Sequence, residues 1–185
     1  MNKKRVLHIV LLPSDEITHE TISFSKKLSS EFDTFFTLNE ENKIPHITLA
    51  QIEISEDDVE EEISNIRMVL RNQNRFLSSF VDVGSNNGWI WLCTKTHEIL
   101  QIHNLVADAQ TRGTLLTARP YLPHLTITRI KDITTQNQFD ARMLLKKLWN
   151  AKNTSSNFAI PNAAIGFAGE HGVFEEVLER IPLNS

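Results

Sequence analysis

The sequence predicts an α+β domain built of two pseudo-symmetric lobes that face each other across a groove. Three observations lead there. Helix-period and strand-like segments alternate along the chain, one eight-residue string occurs twice, and no Pro/Gly/Ser-rich linker separates the two occurrences. The 185 residues, 41% of them apolar, suffice for one self-supporting core, so residues 1–185 read as a single domain.

A first strand is expected over 5–12. Lys3, Lys4 and Arg5 ahead of it imitate a secretory leader, but His8 interrupts the apolar run. Pro13, Ser14, Asp15 and Glu16 then stand where a small-residue cleavage site would lie. Ser14 is placed to cap a helix whose Ile17, Thr21, Phe24, Leu28 and Phe32 form one buried stripe. After a strand over 44–54, Ser55 and Asp58 resemble a capping box for a helix that buries Val59, Ile63, Ile66 and Leu70. The acidic run 56–62, broken only by Val59, complements the helix dipole and is expected on a solvated face. Strands over 76–83 and 89–94 precede a helix over 96–111 with Ile99, Ile102, Val106 and Ala109 inward. A strand over 124–130, a helix over 135–150 and strands over 158–167 and 173–181 complete the chain. Gly169-Glu170-His171-Gly172 reads as the hairpin turn between the last two strands. Gly166, Gly169 and Gly172 are read as turn glycines, because no helix with a Lys-Ser/Thr pair follows them.

Composition narrows the function. Cys93 is the single cysteine, so no intrachain disulfide forms; it reads as a small apolar strand residue, and a reducing, cytoplasmic setting is expected. No segment is apolar enough to span a bilayer. A formal charge of −4 argues against a broad basic face that coats nucleic acid, while a short substrate or the end of a longer one remains compatible. His97-Glu98 begins like a zinc-protease helix, but Gln101 stands where the second histidine belongs. His103 falls on another helical face, His8 and His171 lack partners at a metal spacing, and His19 reads as exposed. No metal and no cofactor are therefore expected, and the chain is taken as a monomer.

The repeat carries the chemistry. Pro45-His46-Ile47-Thr48-Leu49-Ala50-Gln51-Ile52 aligns without a gap on Pro123-His124-Leu125-Thr126-Ile127-Thr128-Arg129-Ile130, with the histidines 78 residues apart. Arg67-Met68-Val69-Leu70-Arg71 and Arg142-Met143-Leu144-Leu145-Lys146, in the helices that follow, echo the same duplication. With seven histidines in the chain, two such strings arise by chance about once in a hundred, so ordinary strand histidines are a weak explanation. On a strand His46 shares a face with Thr48, and His124 with Thr126, while Ile47, Leu49, Leu125 and Ile127 point into the covering helices. Displacement at a phosphodiester needs one group to take a proton from the attacking oxygen and another to supply one to the leaving oxygen. Two imidazoles can hold opposite protonation states near neutrality, and threonine hydroxyls two residues away can donate to the non-bridging oxygens.

With these residues the sequence resembles the two-histidine (2H) phosphoesterase superfamily, defined by two H-x-T/S-x motifs, and within it the bacterial 2′-5′ RNA ligase-like cyclic phosphodiesterases. The motifs are His46-Ile47-Thr48-Leu49 and His124-Leu125-Thr126-Ile127. The resemblance implies two antiparallel sheets forming a central cleft with helices outside, and activity on 2′,3′-cyclic phosphates or 2′-5′ linkages of RNA termini or nucleotides. It also implies a phosphate role for Arg129, which closes the second motif as H-x-T-x-x-R. Strict alternation turns Arg129 away from His124, and a surface ion pair is its other reading. Arg119 and Tyr121, in the loop entering His124, could meet phosphate and stack on a base, or serve loop packing. Trp89 and Trp91 share a strand face, as a stacking platform or as core.

The function expected is thus a metal-independent phosphodiesterase, reversible as a 2′-5′ RNA ligase, with His46, His124, Thr48 and Thr126 catalytic. The symmetry of the motifs leaves open which histidine is base and which acid. A non-catalytic nucleotide or RNA-end binder, or the same chemistry on a non-nucleic cyclic phosphate, are the alternatives.

Overall fold

In the computed structural model, which describes residues 3–95, 97–117, 120–152 and 157–185, strand and helix alternate as the periodicity requires. The order is β1 (Lys4–Leu12), α1 (Asp15–Glu31), β2 (Ile47–Ser55), α2 (Val59–Arg71), β3 (Phe76–Asn86), β4 (Trp89–Thr94), α3 (His97–Ala109), β5 (Thr114–Leu115), β6 (His124–Arg129), α4 (Thr135–Ala151), β7 (Asn157–Ile160), β8 (Asn162–Ala168) and β9 (Phe174–Pro182). Ile17, Thr21, Phe24 and Leu28 are buried in α1, and Val59, Ile63, Ile66 and Leu70 in α2, as their spacing demands.

Local signals at the helix ends were less faithful. Ser14 precedes α1 but caps it with no side-chain bond; its backbone N–H donates to Ala159 O at 3.0 Å. Ser55 is not the cap of α2, because a 3₁₀ turn over Glu56–Asp58 intervenes. Glu62, expected on a solvated face, is fully buried and accepts the backbone N–H groups of Thr111 and Arg112 at 3.1 and 3.0 Å. It thereby ties the end of α3 to α2, a tertiary role that no helical pattern announces.

The sheet follows the path β7-β3-β4-β6-β2-β1-β8-β9, with β5 added to β2, and every pairing between these strands is antiparallel. The two sheets expected are two halves of this one path, β7-β3-β4-β6 and β2-β1-β8-β9, which meet at a single residue pair, Ile47↔Leu125. These two residues occupy the same place in the two copies of the repeat, so the junction lies on the pseudo-twofold axis. The unit β1-α1-β2-α2 recurs as β4-α3-β6-α4. Helices are exchanged between the halves: α1 packs on β6 and α4, whereas α3 packs on β2 and α2.

Residues expected as one strand over 158–167 are divided at Pro161 into β7, which pairs with β3, and β8, which pairs with β1. Proline has no N–H to give a ladder and marks the bend. The bent segment therefore joins one edge of the sheet, β7, to β8, the strand next to the other edge. Ile47, Leu49, Leu125 and Ile127 are fully buried on the helix-covered side, as the alternation predicts. Gly166 is a β8 residue, not a turn residue; Phe174 packs against it so closely that a Cβ would collide with the ring. Among the described residues no helix is long and apolar enough to cross a membrane.

Candidate active site

The Ile47↔Leu125 pair positions the site. In an antiparallel pair opposed residues share a face, and these two point to the core. His46, Thr48, His124 and Thr126, one step away on each strand, are turned to the opposite face. The register sets His46 level with Thr126, and Thr48 level with His124, so each motif's histidine neighbours the other motif's threonine.

Each imidazole is oriented in the same way. His46 donates from Nδ1 to Ile44 O at 2.7 Å, and His124 from Nδ1 to Leu122 O, also at 2.7 Å. Pro45 and Pro123 hold the residues before them extended and so help set these carbonyls. A carbonyl only accepts, so Nδ1 carries the proton of the neutral ring and Nε2 is the nitrogen left to exchange one. Burial pushes His46 down to about 4, against the Ile44 carbonyl, which favours the cation, and with the charge of His124 lowering it further. His124 is also lowered by burial, again opposed by its carbonyl partner Leu122.

A groove of about 630 Å³ opens on this face, lined by Thr48, Thr126, His124, Trp91, Gln51 and Arg129 among others, while His46 is not part of the lining. Trp91 lies across Gly84 of the neighbouring strand, where a Cβ would strike the indole, and its ring centroid is 5.5 Å from that of His124. Trp91 is thus a groove surface. Trp89 is part of the wall, packed at 6.2 Å on Phe36.

Arg129 does reach the groove, contrary to strict alternation. Ile90 pairs with Thr128 and Trp91 with Thr126, so Ile127 is an extra, bulged residue that reverses the parity beyond it. Its guanidinium lies 5.0 Å from the centroids of both Phe35 and Trp89, and Nη1 donates to His171 Nδ1 at 3.3 Å. Tyr121 also lines the groove, but its hydroxyl donates to Thr48 O at 2.6 Å and one ring face is stacked on His103 at 3.9 Å. Burial raises the Tyr121 hydroxyl, keeping it a donor. Arg119 lies outside the described residues. Cys93 sits in β4 opposite His124, and burial raises its thiol.

Three histidines that sequence spacing treated as unremarkable touch this site. His8 Nε2 lies 2.9 Å from Thr48 Oγ1, His103 donates from Nδ1 to Leu49 O at 2.7 Å, and His171 receives Arg129. Each acts across an element pairing, so no local motif could have marked it. His19, expected exposed, is so, paired with Glu40 at 3.0 Å. Among the described residues no three of His, Cys, Asp and Glu are grouped to hold a metal ion.

The model of the 2′-5′ RNA ligase superfamily matches residues 25–162, three quarters of the chain and both motifs. The chain is similar in structure to LigT of E. coli in complex with 3′-AMP, with a TM-score of 0.68, 17% identity and coverage of 99% of this chain and 100% of that one. TT0787 of Thermus thermophilus aligns with a TM-score of 0.65 at 12% identity, covering 97% and 98%. Usb1 of Kluyveromyces marxianus aligns at 0.55 and 14%, again covering 97% and 98%. No curated protein matches the chain in sequence.

Proposed function

The chain belongs to the 2′-5′ RNA ligase superfamily, and on that premise we propose that it is a metal-independent phosphodiesterase acting on a 2′,3′-cyclic phosphate or 2′-5′ linkage of an RNA terminus or nucleotide. The observation that carries this reading is the Ile47↔Leu125 junction, which puts two histidines with identically tethered Nδ1 atoms and two threonine hydroxyls on one face. Two proton carriers with hydroxyl donors beside them are the parts that in-line displacement requires.

His46, the more strongly depressed of the two, is the base. Its Nε2 takes the proton of a water whose oxygen bonds to phosphorus. The bond from phosphorus to the leaving ribose oxygen breaks, and Nε2 of His124 gives that oxygen its proton. Thr48 and Thr126 donate to the non-bridging oxygens. With a 5′-hydroxyl in place of water, the same exchange gives ligation. The groove volume suits a nucleotide-sized ligand, and the open face of Trp91 suits a base. LigT of E. coli has been crystallised with 3′-AMP, a ligand of that size, and with phosphate. Arg129 supplies positive charge at the groove wall. We read the enzyme as a cytoplasmic monomer without cofactor.

The test is turnover of 2′,3′-cyclic nucleotides, 2′-5′ dinucleotides and ADP-ribose cyclic phosphate in chelator, with 2′- and 3′-phosphate products resolved. Binding of a cyclic nucleotide with no product after long incubation would instead identify a binding module, and turnover of the ADP-ribose compound alone a different substrate class.

A further inference from the structure

His8 is a fully buried polar group beside the site. It lies in β1, its ring edge-on to His46 at 4.9 Å and to Phe174 at 5.7 Å. Among the described residues its ring is hydrogen-bonded at Nε2, to Thr48 Oγ1, and Nδ1 has no partner. A neutral imidazole has one donor and one acceptor nitrogen, and a buried N–H without an acceptor is rarer in folded proteins than an unused lone pair. The proton therefore belongs on Nε2, donated to Thr48 Oγ1. Burial, and then the neighbouring charge of His46, hold His8 well below the ordinary histidine range, so the ring stays neutral.

Thr48 is gripped twice, at its hydroxyl by His8 and at its carbonyl by Tyr121. Thr126, its equivalent in the repeat, has no hydrogen bond to its hydroxyl among the described residues. The register that pairs His8 with Gln51 in one half pairs Trp89 with Arg129 in the other, so an indole stands where His8 would be.

We propose that His8 is a positioning residue: its Nε2–H holds the Thr48 hydroxyl oxygen from behind, so that the Thr48 proton is turned into the groove as a fixed donor to a non-bridging phosphate oxygen. The proposal rests on the phosphoesterase reading above. It makes the two threonines unequal, Thr48 preset before substrate arrives and Thr126 free to adjust to it.

Two measurements test it. In ¹⁵N NMR of the intact protein without ligand, His8 is expected as the Nε2–H tautomer; the Nδ1–H tautomer overturns the proposal. The second is a double-mutant cycle on kcat/KM for 2′,3′-cyclic AMP. His8→Phe is expected to lower kcat/KM about tenfold, the worth of one hydrogen bond. It should lower it no further in a Thr48→Ala background, and His8→Gln, which keeps an amide donor near the same place, should recover most of the loss. Equal losses from His8→Phe in both backgrounds mean that the ring only fills space, and also overturn it. Should His8→Phe fail to fold, the cycle is run with His8→Gln and His8→Asn, whose shorter amide is expected to lose more; equal effects of the two overturn the proposal. A wild-type protein that turns over no phosphodiester condemns the phosphoesterase reading, while the tautomer still decides the role of His8.

Discussion

Gln51 and Arg129 hold the same position in the two copies of the repeat, and both line the groove because each strand carries one extra residue upstream. Leu49 is bulged in β2, where Ile9 pairs with Ala50 and Val10 with Thr48, and Ile127 is bulged in β6. Each bulge turns the following side chain to the groove and allows two polar positions three residues apart to serve one ligand. The halves differ there in charge, amide against guanidinium.

Arg129 follows from that difference. Its guanidinium lies between two aromatic rings, an arrangement that suits a flat cation. Arg129→Ala is expected to raise KM for a cyclic nucleotide about tenfold, and Arg129→Lys to recover little of it. Steady-state kinetics at fixed ionic strength provide the check.

Removing either of the proposed proton carriers is expected to have a larger effect. His46→Ala and His124→Ala should each lower kcat about 10²- to 10⁴-fold, the range for a general acid or base. Thermal unfolding of both variants confirms that the fold survives. Full activity in the His124→Ala protein would end the two-histidine mechanism.

The pH dependence has a defined sign. In its proposed role as base His46 must be unprotonated, so kcat/KM is expected to rise through about pH 4. As acid, His124 must hold its proton, and because its value is lowered from 6.5 the rate falls again on a limb below 6.5. The expected profile is a bell on the acidic side of neutrality.

Stability should track the same groups. His8, His46 and His124 all bind protons less readily folded than unfolded, so the unfolded chain takes up protons first as pH drops below 6.5. Unfolding free energy is expected to be fully present above 6.5 and to decline as pH falls towards 4, and His8→Phe should flatten that slope. Urea denaturation midpoints across this interval measure it.

Gly84→Ala tests the indole surface. The new methyl collides with the Trp91 ring, so about 1–3 kcal/mol of stability should be lost and nucleotide affinity with it. Tryptophan fluorescence and denaturant titration report the two effects.

That His46, Thr48, His124 and Thr126 share one face could be read from sequence, because a gap-free repeat makes a short motif stand out. The helix stripes were legible for the same reason, since periodicity is local. The reach of Arg129 was not, because a bulge is a property of two paired strands and only Trp91, Ile90 and their partners reveal it. Neither was the contact of His8 with Thr48, 40 residues away, nor the stack of His103 on Tyr121. Pro161 could have signalled that one apolar run was two strands; the destinations of those strands depend on the whole sheet.

The exchange of α1 and α3, with the bend at Pro161, means that neither copy of the duplicated unit owns a complete set of neighbours. Half a molecule would leave α1 or α3 without the strand that it packs against. In the present polypeptide each half therefore supplies part of the other's covering layer, and both walls of the groove rest on shared scaffolding.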